Sequence, residues 1–395
     1  MAMARVCAAS PLLPSVLSAQ QDPRPLNEHK RTPGLDEMMD AFDFEPVMFA
    51  NVPLAVYDYT AHGDGSEFTL RRNRQAFDWV DLAPGSAIDP ASVDLSCELF
   101  GTKLRYPILV APTATMVPLH PDGEIGMHRA ATAASNTPMI VSHNTSTTID
   151  RIAAGATGPL WWQLYPSPNL DASREILDGA QTAGCTAVVI TVDQQASYYE
   201  RSAQDRNLGG RGGGGRGGAG GRGGTPAAAA PPTGAARYRI QPGRLWYNWR
   251  YLDDLRKTVK VPFLLKGILT AEDARLAVEH GVDGIIVSNH GGRSMDYGPS
   301  TLEVLPEIVA AVNGRIPVIT DSGYRRGADI LKGLALGASA VLLGRTTRWA
   351  LAAFGTPGAQ RVLEMMQREL VDAAAAAGRR TLASIDRTTV KPNFT

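Results

Sequence analysis

Cysteine is scarce in this chain of 395 residues, with three in all, Cys7, Cys97 and Cys185. Their odd count and the lack of CxxC spacing exclude a disulfide framework and a zinc pattern, so they read as buried or incidental thiols and no metal site is expected. No apolar run reaches the ~20 residues that span a bilayer, which makes a soluble protein the expectation. Neither sign of charge is in excess, since 39 Lys and Arg face 39 Asp and Glu. That balance leaves no global basic field for nucleic acid or an anionic membrane. What is present, 44% hydrophobic and 20% charged residues, can bury a large core in one barrel-sized domain. Small-molecule chemistry is the function class left open.

The first 45 residues read as a leader. Ala8 to Ala19 ends in the small residues Leu17-Ser18-Ala19, which suit either a truncated export signal or a plain disordered leader, so the compartment is cytoplasmic or periplasmic. From residue 46 to 395 short apolar runs alternate with amphipathic stretches, the pattern of βαβ units. Eight such runs occur: 107–110, 138–142, 160–164, 186–192, 261–266, 283–288, 316–320 and 339–343. Eight strands close an α/β (βα)8 TIM barrel, here with an N-terminal helical extension. A doubly wound sheet competes, but the glycine fingerprint after a first strand is missing. Between the helices, Thr270 and Asp273 form a capping pattern and Gly281 a stop.

Residues 208–236, after the fourth strand, repeat Gly and Arg ahead of an Ala/Pro run. They hold too little apolar surface to offset ordering entropy, so a mobile surface insertion is expected. An accessory single-strand nucleic-acid role is the sharper alternative, but the arginines lack interleaved aromatics.

The strand ends carry Thr113, Ser142, Gln163, Tyr165, Thr191, Asp193, Lys266, His290, Arg293, Asp321, Arg325 and Arg345. Any one could be a capped or solvated end; together, where barrels keep their sites, they indicate one. Ser288-Asn289-His290-Gly291-Gly292-Arg293 puts a base and a guanidinium beside each other after a buried strand, the chemistry that grips a carboxylate and removes a nearby proton. Asp321 to Gly327 and Gly344-Arg345 place glycines and arginines where such barrels hold a phosphate, with Arg326 read as a solvated helix face. Backbone amides near a helix start and a guanidinium fork suit a dianion, so a phosphate-bearing ligand is implied.

These residues carry a resemblance. Val56-Tyr57-Asp58-Tyr59, Ala111-Pro112-Thr113-Ala114, Gln163-Leu164-Tyr165, Thr191-Val192-Asp193, Leu265-Lys266-Gly267, the His290 segment and Asp321 to Gly327 resemble, in this order from about residue 45 to 390, the FMN-dependent α-hydroxy acid oxidase/dehydrogenase family, which includes glycolate and lactate oxidases. The resemblance implies oxidation of an (S)-2-hydroxy acid to the 2-oxo acid. His290 would be the base, Asp193 its orienting partner, Arg293 and Arg201 the carboxylate ligands, and Tyr59 and Tyr165 hydrogen-bond donors to substrate. FMN contacts would fall on Ala111, Pro112, Thr113, Ala114, Ser142, Gln163, Thr191, Lys266, Ser288, Asp321, Gly323, Arg325, Gly344 and Arg345. Oxygen, a quinone or another acceptor would take the electrons, and a homotetramer is the family's assembly. Another flavin-dependent barrel enzyme, such as an isomerase, or a non-catalytic flavoprotein is the competing reading.

The chain departs from the family at several positions. Ser294 stands where Gln is usual and Ser322 where Gly is usual, and residues 194–207 are atypical, so that Arg201 aligns only with one extra residue allowed. His143-Asn144 replaces Ser-Trp of glycolate-type enzymes and Thr60 replaces an aromatic. A wider or more polar side-chain pocket is expected, with Asn144 itself read as a loop residue bonding backbone.

Overall fold

The eight apolar runs pair edge to edge into a closed parallel barrel in the computed structural model, which describes residues 32–193 and 248–394. The barrel strands are β4 (Ile108–Val110), β5 (Met139–Ser142), β6 (Leu160–Leu164), β7 (Val188–Thr191), β8 (Phe263–Ile268), β9 (Gly284–Val287), β10 (Val318–Thr320) and β11 (Ala340–Leu343). They close in the order β10-β11-β4-β5-β6-β7-β8-β9. The open-sheet alternative is thereby excluded. The 208–236 insertion, which follows β7, lies outside the described residues, as do Arg201 and the segment 1–31.

Each strand is buried on both faces, which is why it reads as a continuous apolar run. Ile140, Val189, Leu264, Ile286, Ile319 and Leu342 point inward and pack on one another. Their neighbours Val141, Ile190, Leu265, Val287 and Leu343 point outward against the helices. A hairpin made of β2 (Cys97–Leu99) and β3 (Thr102–Leu104) closes the barrel floor, inserting Leu99 and Leu104 into the inner core, with Phe100 edge-on to Trp161 at 5.6 Å. Polar chemistry is therefore confined to the other end, where the strands finish.

The packed body reaches back into the stretch read as leader, since Met38, Ala41 and Phe44 are buried in the outer core. The N-terminal extension is helical, as expected, with helices Phe44–Asn51, Leu54–Ala61 and Phe68–Asp78. A short ribbon of β1 (Val80–Leu82) and β12 (Val390–Pro392) ties this extension to the C-terminus. Thr270 Oγ1 accepts from Asp273 N at 3.1 Å, and Gly281 ends that helix with φ of 68°. Burial pushes the thiols of Cys97 and Cys185 up to about 11 and about 12, which leaves both as inert apolar groups. Among the described residues no helix is long and apolar enough to cross a membrane.

Candidate active site

Residues at the ends of β4, β8, β9, β10 and β11 line one cleft of ≈ 820 Å³, including its open mouth. Tyr59, Thr113, Tyr165, Lys266, His290, Arg293, Asp321, Arg325 and Arg345 all border it. One wall is foreign to the barrel, because the helix Leu54–Ala61 brings Tyr59 and Thr60 over the strand ends.

At its centre Asp193 Oδ1 lies 3.0 Å from His290 Nδ1, and His290 Nε2 lies 3.2 Å from the Tyr165 hydroxyl. Lys266 Nζ donates to Ser288 Oγ at 2.8 Å and stands 3.6 Å from Asp321 and 4.0 Å from Asp193. Burial by itself raises the Asp193 carboxyl, but Lys266 and His290 outweigh it and hold the group below its usual range. Burial pushes His290 below the ordinary histidine value of 6.5, and Lys266 and Arg293 add to that, overcoming the opposite pull of Asp193. Although 28% of the His290 side chain opens to the cleft, two cations, Lys266 and Arg293, and the buried carboxylate of Asp193 act on it. The result is a neutral imidazole whose Nδ1 is held by an anion and whose Nε2 faces the cleft, the form a general base needs.

The backbone makes this grouping possible. His290 itself sits at φ of 59°, left-handed, which aims its ring back across the barrel mouth. Gly267 interrupts the β8–β9 register at φ of 111°, and a Cβ there would fall 2.5 Å from that of Asp193. The glycine is what lets Asp193 sit beside Lys266. Gly267→Ala is therefore expected to cost about 1–3 kcal/mol of stability from backbone strain and to slow turnover by displacing Asp193. Thermal unfolding and steady-state rates check this, and native values for both would contradict it.

Toward β10 and β11 the cleft is rich in guanidinium. Arg325 stacks on Trp349 at 4.6 Å and donates to Tyr324 O. Arg345, expected at the phosphate, borders the cleft and also donates to three backbone carbonyls, those of Thr60, Gly291 and His62, each at 2.8 Å. It thus clamps the N-terminal wall to the His290 loop while bordering the cleft. Burial, then Arg293 and Arg325, push Arg345 down to about 9. Burial and Arg293 push Arg348 to about 10. Guanidiniums stay charged in proteins, so these shifts mark a site short of negative charge.

That deficit suits FMN, a phosphate-bearing cofactor, and three further observations agree. Among the described residues the buried Thr113 Oγ1, Gln163 Nε2 and Thr191 Oγ1 have no partner. Gln163 is oriented by Ser142 Oγ and His143 N, which both donate to its Oε1, leaving its amide hydrogens to a ligand. A Cβ at Gly344 would meet only Ala111 and Thr113, at 3.7 and 3.8 Å, so that floor is open.

The expected residues Tyr59, Ala111, Pro112, Thr113, Ala114, Tyr165, Lys266, His290, Arg293, Asp321, Gly323, Arg325, Gly344 and Arg345 all border the cleft. Asp193, Ser142, Gln163, Thr191 and Ser288 stand behind it. Asn144, read as a loop residue, borders the cleft as well, while its backbone bonds Ser142 Oγ and Thr115. Ser322 is accommodated at φ of 75°, donating to Asp321 Oδ1 and accepting from Gly291 N. Arg326 pairs outside with Glu369, as a solvated face should.

Three supports had no local signal. Asn73 and Asn289 exchange amide hydrogen bonds at 2.9 and 2.7 Å, fixing the His290 loop to the helix Phe68–Asp78. Arg74 donates to Gly323 O and pairs with Asp329 at 2.7 Å, fixing the β10 loop. Arg348 enters the cleft from the helix after β11. The Asn73-Arg74 doublet in an amphipathic helix was the one available hint.

A family model described as FMN-dependent dehydrogenase matches residues 49–392. A peroxisomal (S)-2-hydroxyacid oxidase of Arabidopsis thaliana is 36% identical over 365 residues, covering 90% of this chain and 97% of that protein. Glycolate oxidase of Spinacia oleracea is 35% identical over 364 residues, covering 91% and 97%. A solved structure of mandelate oxidase with benzoyl-formic acid has a TM-score of 0.77 at 33% identity, covering 91% of this chain and all of that one.

Proposed function

The chain belongs to the FMN-dependent dehydrogenase family, and we propose that it oxidises an (S)-2-hydroxy acid to the 2-oxo acid, with His290 as the base. The observation that carries the assignment is the Asp193–His290–Tyr165 line, 3.0 and 3.2 Å in its two steps, at the rim of a cation-rich cleft. FMN supplies the two-electron acceptor when bound. Thr113, Gln163, Thr191 and Lys266 would hold its ring, and Gly323, Arg325, Gly344 and Arg345 its phosphate.

Substrate binding falls to Arg293 and Tyr59. The Arg293 guanidinium lies 4.9 Å from the Tyr59 ring, and its Nη1 donates to Tyr59 O at 2.6 Å, so the fork is held while Nη2 has no partner among the described residues. A carboxylate gripped there brings its neighbouring carbon toward His290 Nε2. Tyr165, now bonded to that nitrogen, would share the substrate hydroxyl. The proton passes to Nε2, and Asp193 stabilises the imidazolium that forms. The oxidases among its relatives support oxygen as the final acceptor. Arg201 would add a second carboxylate ligand.

Anaerobic addition of lactate, glycolate, mandelate and longer (S)-2-hydroxy acids should bleach the flavin with at least one; a broad panel without bleaching would refute the reaction. Rapid mixing of reduced enzyme with oxygen or a quinone identifies the acceptor. The base also sets an acid limb. Because His290 is held below 6.5, kcat/KM should stay level down to about that pH and fall only below it. The unfolded chain binds this proton at 6.5 and the folded chain does not, so stability also declines as pH drops through that window. A kcat/KM limb centred above 6.5 would contradict the assignment.

A further inference from the structure

Arg348 is a charged side chain that neither the barrel nor the proposed chemistry uses. It sits one turn after Arg345 in the helix that follows β11, is 3% exposed, and still borders the cleft beside Tyr59, Thr60, Ala114 and Asn144. Two contacts hold it rigid: Nε donates to Thr60 Oγ1 at 3.1 Å, and Nη1 donates to Ala114 O. Nη2 has no partner, and no carboxylate lies within ion-pair distance, among the described residues. The nearby acid, Glu124, is committed elsewhere, accepting from Met116 N, Ser146 N and Ser146 Oγ.

A cation buried without a counter-ion is costly, so such a group points to an anion brought by a ligand. Arg293 and Arg348 flank the same Tyr59 ring, at 4.9 and 5.6 Å. One carboxylate satisfies one of these guanidiniums. Thr60 and Asn144 add polar groups to the lining of the cleft that both arginines border.

We propose that Arg348 forms a second anion subsite in the cleft, which selects 2-hydroxy acids carrying a second carboxylate on the side chain. The proposal rests on the oxidation reading above and names its substrate class. Thr60 is then a positioning residue, fixing Nε so that Nη2 is left to the ligand.

The test uses FMN-loaded enzyme under anaerobic rapid mixing. (S)-Malate and (S)-2-hydroxyglutarate should reduce the flavin with a second-order rate constant at least tenfold above that of (S)-lactate and (S)-2-hydroxyhexanoate. Arg348→Met should lower the dicarboxylate-to-monocarboxylate ratio about 10–100-fold, the size of one hydrogen bond to a charged group. Arg348→Lys, which keeps the charge, should restore part of the ratio and serves if the methionine variant fails to hold FMN. Equal loss on both substrate classes would make Arg348 a ligand of the shared carboxylate and overturn the proposal. Weakened FMN binding with an unchanged ratio would assign it to the phosphate and overturn it too, as would wild-type preference for monocarboxylates. If monocarboxylates bleach the flavin and dicarboxylates do not, this subsite falls while the reaction stands; if nothing bleaches it, the reaction itself falls.

Discussion

His290→Asn is expected to retain FMN and to lose roughly 10²–10⁴-fold in the rate of flavin reduction by a 2-hydroxy acid, the range that a positioned general base contributes. Asparagine is the informative replacement because position 290 lies at φ of 59°, a conformation it tolerates better than most residues. The loop should survive the change. Its backbone is held by Ser288 Oγ on His290 N and by the Asn73–Asn289 amide pair, neither of which involves the imidazole. What disappears is the ring that bonds Asp193 through Nδ1 and Tyr165 through Nε2. Anaerobic rapid mixing, with bound flavin counted by absorbance, reads the two effects separately. Reduction at the native rate would show that another group takes the proton.

Lys266→Met should cost about 3–5 kcal/mol of stability at neutral pH, because it strips a buried pair network of its cation. Lys266 is 4% exposed and stands within 4.0 Å of both Asp193 and Asp321. Methionine fills the same space, so little of the loss comes from packing. The pH dependence gives the cause away. In the native protein Asp193 is held below its usual range with Lys266 as the largest favourable influence. A carboxyl so lowered adds stability that is present above its unfolded value of 3.8 and lost as pH falls through the folded one. Without Lys266, burial raises it instead, and the sign reverses: the variant should regain stability relative to wild type on acidification. Urea unfolding of the apoprotein at neutral and mildly acidic pH measures this. A loss under about 1 kcal/mol, or a deficit independent of pH, would mean that the three charges are not the coupled group their distances suggest.

The eight barrel strands were legible because each is buried on both faces and must be apolar along its whole length, a pattern that local sequence displays. Their ends were legible for a related reason: an apolar run that stops at Lys266, Asp193 or Asp321 has no structural use for the charge. The strands β1, β2, β3 and β12 were not legible. Each buries a single residue, where even the short barrel strands β4 and β10 are buried throughout, so no apolar run marks them, and the floor hairpin depends on a barrel interior assembled from the whole chain.

The amino-acid sequence by itself determined the barrel, the family and the kinds of group at the strand ends, since all three are written in short contiguous stretches. Tertiary structure decided which groups touch. Asn73 meets Asn289 across 216 positions and Arg345 reaches Thr60 across 285, and no periodicity records such a meeting. It also decided that Arg345 is a clamp, and that Arg348, in sequence one more charge on a helix, is a buried cation at the cleft wall. A helix shows its charged residues alike in sequence; only the packing of its first turns against Tyr59 and Thr60 separates a solvated arginine from one that awaits an anion.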